Sequence, residues 1–393
     1  MKIFNKSEWK KVKLGDVCEI ITGNTPLKKE KEYWDKDEVP FITPSELKYE
    51  GINYITPSIF VSKIGASQGR ILPKNSICVC CIGSLGKLGI LKEEGITNQQ
   101  INSLVLKDKN VDLLYLYFYL KIIKNNLEAT ASSTTVKIVN KSSFGKIEIK
   151  LPNIKIQKKI SKILELLENN IDFRKNQLNY LKELNKSLFR FQFFSSGKNF
   201  QKKKLKDNII EMFIGPFGSD LKNEIFVDKE KGYCMVYEQR HAIKRLIDND
   251  VRYITKEKYE SLKRFKVEGG DIIVSCRGTI GKIYALPNDA EFGIIHSSLM
   301  KIKLKKDKYN NTFFEKLLEK YMQENIYSTQ GSSIKMAITA KKLSEEYFII
   351  PPIELQNKFA ERVEKIEKLS FEIEKSIKEA ENLYNSLMSK YFE

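Results

Sequence analysis

Apolar residues recur with heptad spacing along two long stretches of the chain that contain almost no glycine or proline. One series starts at Ile160 and the other at Phe359, and each steps alternately by four and three residues. A pattern sustained over this length is typical of a coiled-coil seam. The predicted seam positions are Ile160, Leu164, Leu167, Ile171, Leu178, Leu181 and Leu188 in the first stretch, and Phe359, Val363, Ile366, Ile373, Ile377 and Leu387 in the second.

Each heptad stretch needs an apolar partner, and the other stretch of the same chain can supply it. Parallel pairing is possible, but antiparallel pairing lets two similar units close around a pseudo-twofold axis. At 1.5 Å per residue, some forty residues give a rod of about 60 Å. We therefore predict two long helices that form an antiparallel coiled coil.

The segments that precede the heptad stretches have a different pattern. Short runs of β-branched residues alternate there with Gly, Pro and Asn, which is typical of strands and turns. Each segment also contains one apolar helix candidate, over residues 112–127 and 312–326. The predicted fold class is α+β, with two globular mixed α/β domains separated by the long helices. The predicted boundaries are 1–150, 151–196, 197–350 and 351–393.

The chain is an internal repeat. KLGD at 13–16 corresponds to KLKD at 204–207, and ICVCCIGSLGKLGIL at 77–91 corresponds to IIVSCRGTIGKIYAL at 272–286. STTVKI at 133–138 corresponds to GSSIKM at 331–336, and LPNIKIQKKI at 151–160 corresponds to IPPIELQNKF at 350–359. The offsets rise steadily from 191 to 199, as small loop insertions in the second copy would produce. The repeat predicts two copies of one structural plan.

The composition is that of a folded protein with a basic excess. Among 393 residues, 68 Lys and Arg stand against 50 Asp and Glu, which gives a net charge of +18. The two helical stretches account for only +3 of it, so the globular segments carry most of the positive charge. This excess favours a polyanionic partner. The longest apolar run, 113–120, is far shorter than the ~20 residues of a membrane span, and the first residues do not resemble a signal peptide. We therefore expect a cytoplasmic protein without a membrane partner.

Catalytic and metal-binding patterns are sparse. The cysteines of ICVCCIG match neither a zinc knuckle nor a redox motif, and the chain has only two histidines, His241 and His296. The two GxxGK turns lack the remaining residues of a Walker A loop, and no GxGxxG or GxSxG sequence is present. We predict no catalytic residue, no metal site and no cofactor in this chain.

The glycine turns favour a binding role instead. GxxG loops let the backbone come close to a nucleic-acid phosphate, with the following lysine as a point charge. Arginine is rare in this chain, yet five of its nine arginines fall at 240–277, where Arg240 and Arg277 are candidates for reading guanine. The candidate DNA-binding residues are Thr43, Ser45, Lys48, Gln68, Arg70, Lys87, Thr134, Thr135 and Lys137 in the first copy, and Tyr237, Gln239, Arg240, His241, Lys244, Arg277, Lys282, Ser332, Ser333 and Lys335 in the second.

The ordered duplication of these motifs resembles the specificity subunit of type I restriction–modification enzymes. The similarity covers essentially the whole chain, and the hinge sequences LPNIKIQKKI and IPPIELQNKF are its most specific part. The resemblance implies two target recognition domains that each read one half of a split sequence in double-stranded DNA. It also implies two spacer helices, and a chain that catalyses nothing.

The same resemblance implies partner subunits. Two methyltransferase subunits would dock on this chain and supply S-adenosylmethionine chemistry, and a restriction subunit would act as an ATP-driven, Mg-dependent translocase. Two alternatives stay open from the residues alone. One is a DNA-modifying or DNA-cutting enzyme, for which no motif is found. The other is a coiled-coil scaffold with basic lobes that bind nucleic acid non-specifically.

Overall fold

The two heptad stretches form uninterrupted helices, α5 over Ile154–Phe194 and α10 over Ile353–Phe392. They are seen in a computed structural model that describes residues 6–123, 137–195, 197–245, 247, 251–325 and 339–392. The chain forms two compact units, Met1–Asn179 with Glu372–Glu393, and Tyr180–Phe371. Each long helix therefore contributes residues to both units. The four domain ranges set out above stay a prediction.

The first unit contains a four-stranded sheet, a three-stranded sheet and a two-stranded ribbon, with strand orders β2-β8-β5-β6, β4-β3-β7 and β1-β9. Strand β5, one of the two interior strands of the four-stranded sheet, is buried along its whole length, which accounts for the continuous apolar run ICVC. The strands are β1 Lys10–Lys13, β2 Cys18–Thr22, β3 Val39–Ile42, β4 Phe60–Val61, β5 Ile77–Cys80, β6 Leu88–Ile90, β7 Ile96–Thr97, β8 Ile101–Leu106 and β9 Glu148–Leu151.

The second unit repeats this arrangement with orders β11-β18-β15-β16, β13-β12-β17-β14 and β10-β19. The added strand β14 extends the second sheet, and the shared topology confirms the duplicated plan. The strands are β10 Lys202–Lys204, β11 Ile209–Ile214, β12 Cys234–Tyr237, β13 Tyr253–Ile254, β14 Lys266–Val267, β15 Ile272–Ser275, β16 Ile283–Ala285, β17 Gly293–Ile295, β18 Leu299–Leu304 and β19 Tyr347–Ile349.

Shorter helices complete both units. The helix that follows β8 begins at Leu113 because the Asp112 carboxylate accepts a hydrogen bond from the Tyr115 backbone N–H at 2.9 Å. It and its counterpart after β18 correspond to the two apolar helix candidates, of which 124–127 and 326 lie outside the described residues. The helices are α1 Leu14–Val17, α2 Lys63–Ser67, α3 Leu113–Ile122 and α4 Lys141–Gly145, then α6 Gln239–Lys244, α7 Lys256–Leu262, α8 Asn311–Asn325 and α9 Ala340–Glu345.

The long helices pair in opposite directions. In the first unit, the Lys175 ammonium on α5 lies 2.8 Å from the Glu381 carboxylate near the end of α10. In the second unit, Phe189 near the end of α5 packs against Phe359 near the start of α10, with ring centroids 5.6 Å apart. All thirteen predicted seam residues are buried or half-buried. The helices thus form an antiparallel coiled coil, and within each unit its apolar residues belong to that unit's own core.

Candidate nucleic-acid interface

The glycine turn of the first unit connects β5 to β6 and presents open backbone. Gly83 and Gly86 both have a φ of 78°, in the left-handed region that favours glycine. No atom lies within 4 Å of the place where a Gly83 side chain would begin, so the turn can be approached closely. The Gly83 N–H donates to the Lys137 carbonyl at 3.1 Å. The turn therefore combines an accessible backbone with a nearby lysine.

Two further lysines of the first unit lie at the same turn. Lys48 pairs through its backbone with Leu88, the residue after Lys87, with N···O distances of 3.0 and 2.8 Å. The Lys87 ammonium lies 5.7 Å from the centre of the Tyr49 ring. Lys48 and Lys137 are exposed and Lys87 is half-buried. The structure thus brings three of the predicted DNA-binding lysines together around one glycine turn.

The second unit builds the same turn between β15 and β16. Gly278 and Gly281 have φ values of 67° and 77°, and the Gly281 N–H donates to the Ser275 carbonyl at 2.8 Å. The corresponding bond in the first unit joins Gly86 to Cys80 at 3.0 Å. The contact that braces the turn differs between the units. In the second unit the Gln239 side-chain amide donates to the carbonyls on either side of Gly278, at 2.6 and 3.0 Å. The predicted residues Gln239, Arg277 and Lys282 therefore lie at one turn.

Two predicted residues of the second unit are buried. The Tyr237 side chain is inaccessible, and its hydroxyl donates to the Glu291 carbonyl at 2.6 Å. The His241 ring is inaccessible as well, and its Nδ1 accepts from the Glu238 backbone N–H at 2.9 Å. Burial raises the pKa of Tyr237, so the hydroxyl stays neutral. Neither side chain reaches the surface, so both of these predicted DNA-binding residues lie where a duplex cannot contact them.

Most arginines of the second unit are engaged within the protein. The Glu238 carboxylate forms ion pairs with Arg240 and Arg252, with N···O distances of 3.3 and 3.4 Å. The Arg252 guanidinium also lies over the Phe226 ring at 4.8 Å. Arg277 is exposed, and within the described residues no hydrogen bond or ion pair of its guanidinium is found. Arg277 is therefore the arginine of this turn best placed to meet a base edge.

His296 lies beside this charged group and is neutral at pH 7. Burial is the main cause that lowers the pKa of the ring, and Arg252 and Arg277 lower it further, whereas Glu238 acts in the opposite direction. The ring Nδ1 lies 3.0 Å from the Ser298 hydroxyl. A neutral imidazole here can both donate and accept a hydrogen bond.

The loop after β3 in the first unit is organised by Glu46. One carboxylate oxygen accepts from the Thr43 N–H and hydroxyl at 2.9 and 2.7 Å and from Ser45 at 3.1 Å, and the other accepts from Ser58 at 2.5 Å. Burial raises the pKa of Glu46, but the hydrogen bonds from Ser58, Thr43 and Ser45 together hold it below its usual value. The predicted residues Thr43 and Ser45 thus use their hydroxyls to hold this loop.

The other predicted residues of the first unit lie at a different edge. The Arg70 guanidinium donates to the Thr22 carbonyl at 2.5 Å, and the Gln68 carbonyl accepts from the Asn24 side chain at 2.6 Å. Both Gln68 and Arg70 are exposed, as is Lys244 at the end of α6 in the second unit. Five predicted residues lie outside the described residues, namely Thr134, Thr135, Ser332, Ser333 and Lys335.

Sequence reasoning missed the two acidic residues that organise these loops, Glu46 and Glu238. It searched for basic and neutral polar side chains, whereas these carboxylates hold the others in place. The spacing Thr-x-x-Glu from Thr43 to Glu46 is a known signal for such reciprocal bonding. Glu238 has the same three-residue spacing to His241 at the start of α6, but Glu-x-x-His is not a common sequence signal of this kind.

The described residues show neither a metal-binding group nor a membrane-spanning helix. Across these ranges, nowhere do three or more His, Cys, Asp and Glu side chains come together as a metal site would need. None of the helices in this part of the chain combines the length and the apolar character that crossing a membrane requires.

A protein-family model matches most of this chain. It is described as the type I restriction modification DNA specificity domain, and it matches residues 6–183 and again residues 191–381. The type I restriction enzyme MjaIX specificity subunit of Methanocaldococcus jannaschii is 25% identical over 409 residues, covering 98% of this chain and 92% of that protein. The HindI specificity subunit of Haemophilus influenzae is 34% identical over 172 residues, covering 42% of this chain and 37% of that protein.

Solved structures share the fold. The crystal structure of the type I restriction–modification S subunit from M. genitalium superposes with a TM-score of 0.65 at 17% identity, covering 100% of this chain and 98% of that one. A chain from a structural study of complex assembly and conformational transition of the type I restriction–modification system gives a TM-score of 0.59 at 15% identity, covering 97% of each chain.

Proposed function

The chain belongs to the type I restriction modification DNA specificity family, and on this premise we propose that each unit reads one half of a split DNA sequence. The observation that carries the proposal is the glycine turn built twice. Its backbone is the same in both units, but Lys137 adjoins it in the first and Gln239 braces it in the second. One scaffold with different surroundings suits two half-sites of different sequence.

The lysines at these turns would contact DNA phosphates, and an arginine would contact a base. Lys48, Lys87 and Lys137 in the first unit, and Lys282 in the second, would contact phosphates and set the register on the duplex. Arg277 would read a base edge, because a guanidinium can donate two parallel hydrogen bonds to guanine O6 and N7 in the major groove. The Gln239 brace would hold Arg277 in place for that contact.

The coiled coil would act as the spacer between half-sites. Helices of 41 and 40 residues have a length of about 60 Å. Half-sites on one face of B-DNA recur about every 34–36 Å. An antiparallel seam has a single register, so the spacing it sets would be constant.

We further propose that the chain is non-catalytic and works with partner subunits. Two methyltransferase subunits and one restriction or translocase subunit would supply the chemistry, with S-adenosylmethionine, ATP and Mg bound to them. Large apolar side chains that are exposed on the long helices support a docking role, since such residues favour protein contacts. They include Leu166 and Phe173 in the first unit and Tyr180, Phe191 and Phe371 in the second.

A methylation map of cells tests the proposal. A candidate partner methyltransferase is expressed with and without this chain, and modified adenines are mapped. The expected result is one split motif with a constant gap that appears only when this chain is present. Modified adenines without a motif, although the proteins associate, would favour the non-specific scaffold, an alternative that no comparison supports.

A further inference from the structure

A cluster of one arginine and three glutamates joins three helices of the second unit. Arg245 follows the last residue of α6, and its guanidinium contacts Glu315 and Glu319 on α8, the latter at 3.4 Å. The same guanidinium lies 3.7 Å from the Glu367 carboxylate on the long helix α10. One side chain therefore connects α6 to α8 and to the spacer helix.

The centre of this cluster is buried. The Glu315 side chain is 3% exposed, and its second carboxylate oxygen accepts from the Ala285 N–H at 3.3 Å. Burial raises the pKa of Glu315, and the Arg245 guanidinium opposes that effect. A buried carboxylate without its cation is strongly unfavourable, so the position of Arg245 is well determined.

The backbone of Arg245 has a conformation that is uncommon for its residue type. Its φ is 53°, one of only two positive values at non-glycine positions among the described residues. Glycine or asparagine adopts this conformation at the end of a helix with less strain. An arginine at this position therefore has a use beyond ending α6.

The other end of α6 is the brace of the glycine turn. Gln239 is the first residue of α6, and its amide donates to the carbonyls of Arg277 and Thr279. A continuous series of contacts thus runs from Glu367 through Arg245 and α6 to the Arg277 turn.

The first unit has a comparable joint, in which the spacer helix again supplies the carboxylate. Lys121, the cation on α3, pairs with Glu168 on the long helix α5 at 2.5 Å, and both side chains are largely buried. The Lys121 ammonium also donates to the Gly51 carbonyl at 3.2 Å, on the chain segment that follows Lys48. In this unit the ion pair that connects the spacer helix to a loop with predicted DNA-binding residues is itself buried, whereas the Arg245–Glu367 pair is partly exposed.

We propose that Arg245 and Lys121 are positioning residues, which hold the DNA-reading loops of their units in fixed orientation on the spacer helices. This inference rests on the proposed function, because it concerns loops that are proposed to read DNA. It assigns no contact with DNA to Arg245 or Lys121 themselves. Each joint acts on the half-site that its own unit reads. A change in one joint should therefore alter preference at one half-site only.

The test measures binding of the full chain to duplexes that carry single substitutions in either half-site. Glu367→Gln removes only the link to the spacer helix and leaves the buried Arg245–Glu315 pair in place. We expect a loss of discrimination of up to about fivefold at the second half-site, because an ion pair as exposed as Arg245–Glu367 contributes little, with the first half-site unchanged. Lys121→Gln should reduce discrimination at the first half-site and leave the second unchanged. Arg245→Lys should retain part of the discrimination at the second half-site.

The matched control is Lys186→Gln, which breaks an exposed ion pair with Glu183 on α5 and should leave both preferences unchanged. Equal weakening at both half-sites and on non-specific DNA would assign the joints a purely structural role and overturn the inference. Unchanged discrimination in Glu367→Gln would overturn it as well, while the preference of the wild-type chain would still support the proposed function. A wild-type chain without preference at either half-site would overturn both.

Discussion

Gln157 and Gln356, 199 positions apart, make the same three hydrogen bonds. Each side-chain amide donates to two backbone carbonyls, of Pro152 and Asn110 in the first unit and of Pro351 and Lys308 in the second, at 2.8–2.9 Å. Each side-chain oxygen accepts a backbone N–H just before α3 or α8, at 2.9 Å. Both glutamines are buried. The hinge motif therefore ties the start of a long helix to the helix of the adjoining globular part.

Replacing Gln356 with alanine should destabilise the second unit by roughly 2–4 kcal/mol, because it removes three hydrogen bonds and leaves buried backbone groups unpaired. The urea concentration at the unfolding midpoint measures the effect. Asn176→Ala, at an exposed position on α5, is the control and should change stability little. A Gln356→Ala chain as stable as wild type would show that water replaces the glutamine.

The Glu46 loop should lose its stabilising effect in acid. The folded-state pKa lies below the ordinary value of 4.5, so the carboxylate stabilises the fold above that pH. This contribution is lost as the pH falls through the lowered pKa. Wild type should therefore have a higher thermal midpoint than Glu46→Gln at pH 7, and the difference should shrink towards pH 4. A difference that grows in acid would contradict the hydrogen-bonded carboxylate.

The cysteine thiols of the folded chain should react slowly with thiol reagents. All six cysteines are buried as free thiols, and burial raises the pKa of Cys18, Cys78, Cys81 and Cys234 to about 12. Since the thiolate is the reactive form, a colorimetric disulfide reagent at pH 8 should react slowly with native protein. The same reagent should titrate six thiols after unfolding in guanidinium. A rapid reaction before unfolding would contradict this burial.

Arg277 and Lys282 should respond differently to substitution, although both belong to one turn. Arg277→Ala should lose preference at one or a few base pairs of the second half-site, by about 1–3 kcal/mol, because it removes a base contact. Lys282→Ala should weaken binding to all duplexes alike. It should also reduce the slope of log binding constant against log salt concentration by about one. Binding titrations at several salt concentrations separate the two. A uniform loss for Arg277→Ala would make it a phosphate contact.

Shortening the spacer should shorten the gap between half-sites. Deleting one heptad from each long helix, including Lys175 and Glu381, keeps the apolar seam in register. It removes about 10 Å of helix, which corresponds to roughly three base pairs at 3.4 Å each. A methylation map gives the new gap directly. As the control, deletion of four residues from each helix disrupts the seam and should abolish modification. A gap between half-sites that is unchanged by the heptad deletion would rule out the spacer role.

The sequence alone determined the duplication, the fold class and the pair of long helices, whereas it favoured their antiparallel pairing without excluding the parallel one. These follow from patterns that repeat over tens of residues, such as the heptad series from Ile160 and Phe359, where each position adds to one signal. The two apolar helix candidates were found for the same reason. The glycine turns were found because positive φ values restrict the residue type at Gly83 and Gly278.

Only the tertiary structure decided which polar side chains reach the surface. Tyr237, Gln239 and His241 are close in sequence, yet the first and third are buried while Gln239 braces a turn nearly forty residues away. Similarly, Arg245 lies between three carboxylates from two other helices, whereas Arg277 extends into solvent. Partners so distant along the chain leave no local pattern, because the fold alone brings them within hydrogen-bonding distance.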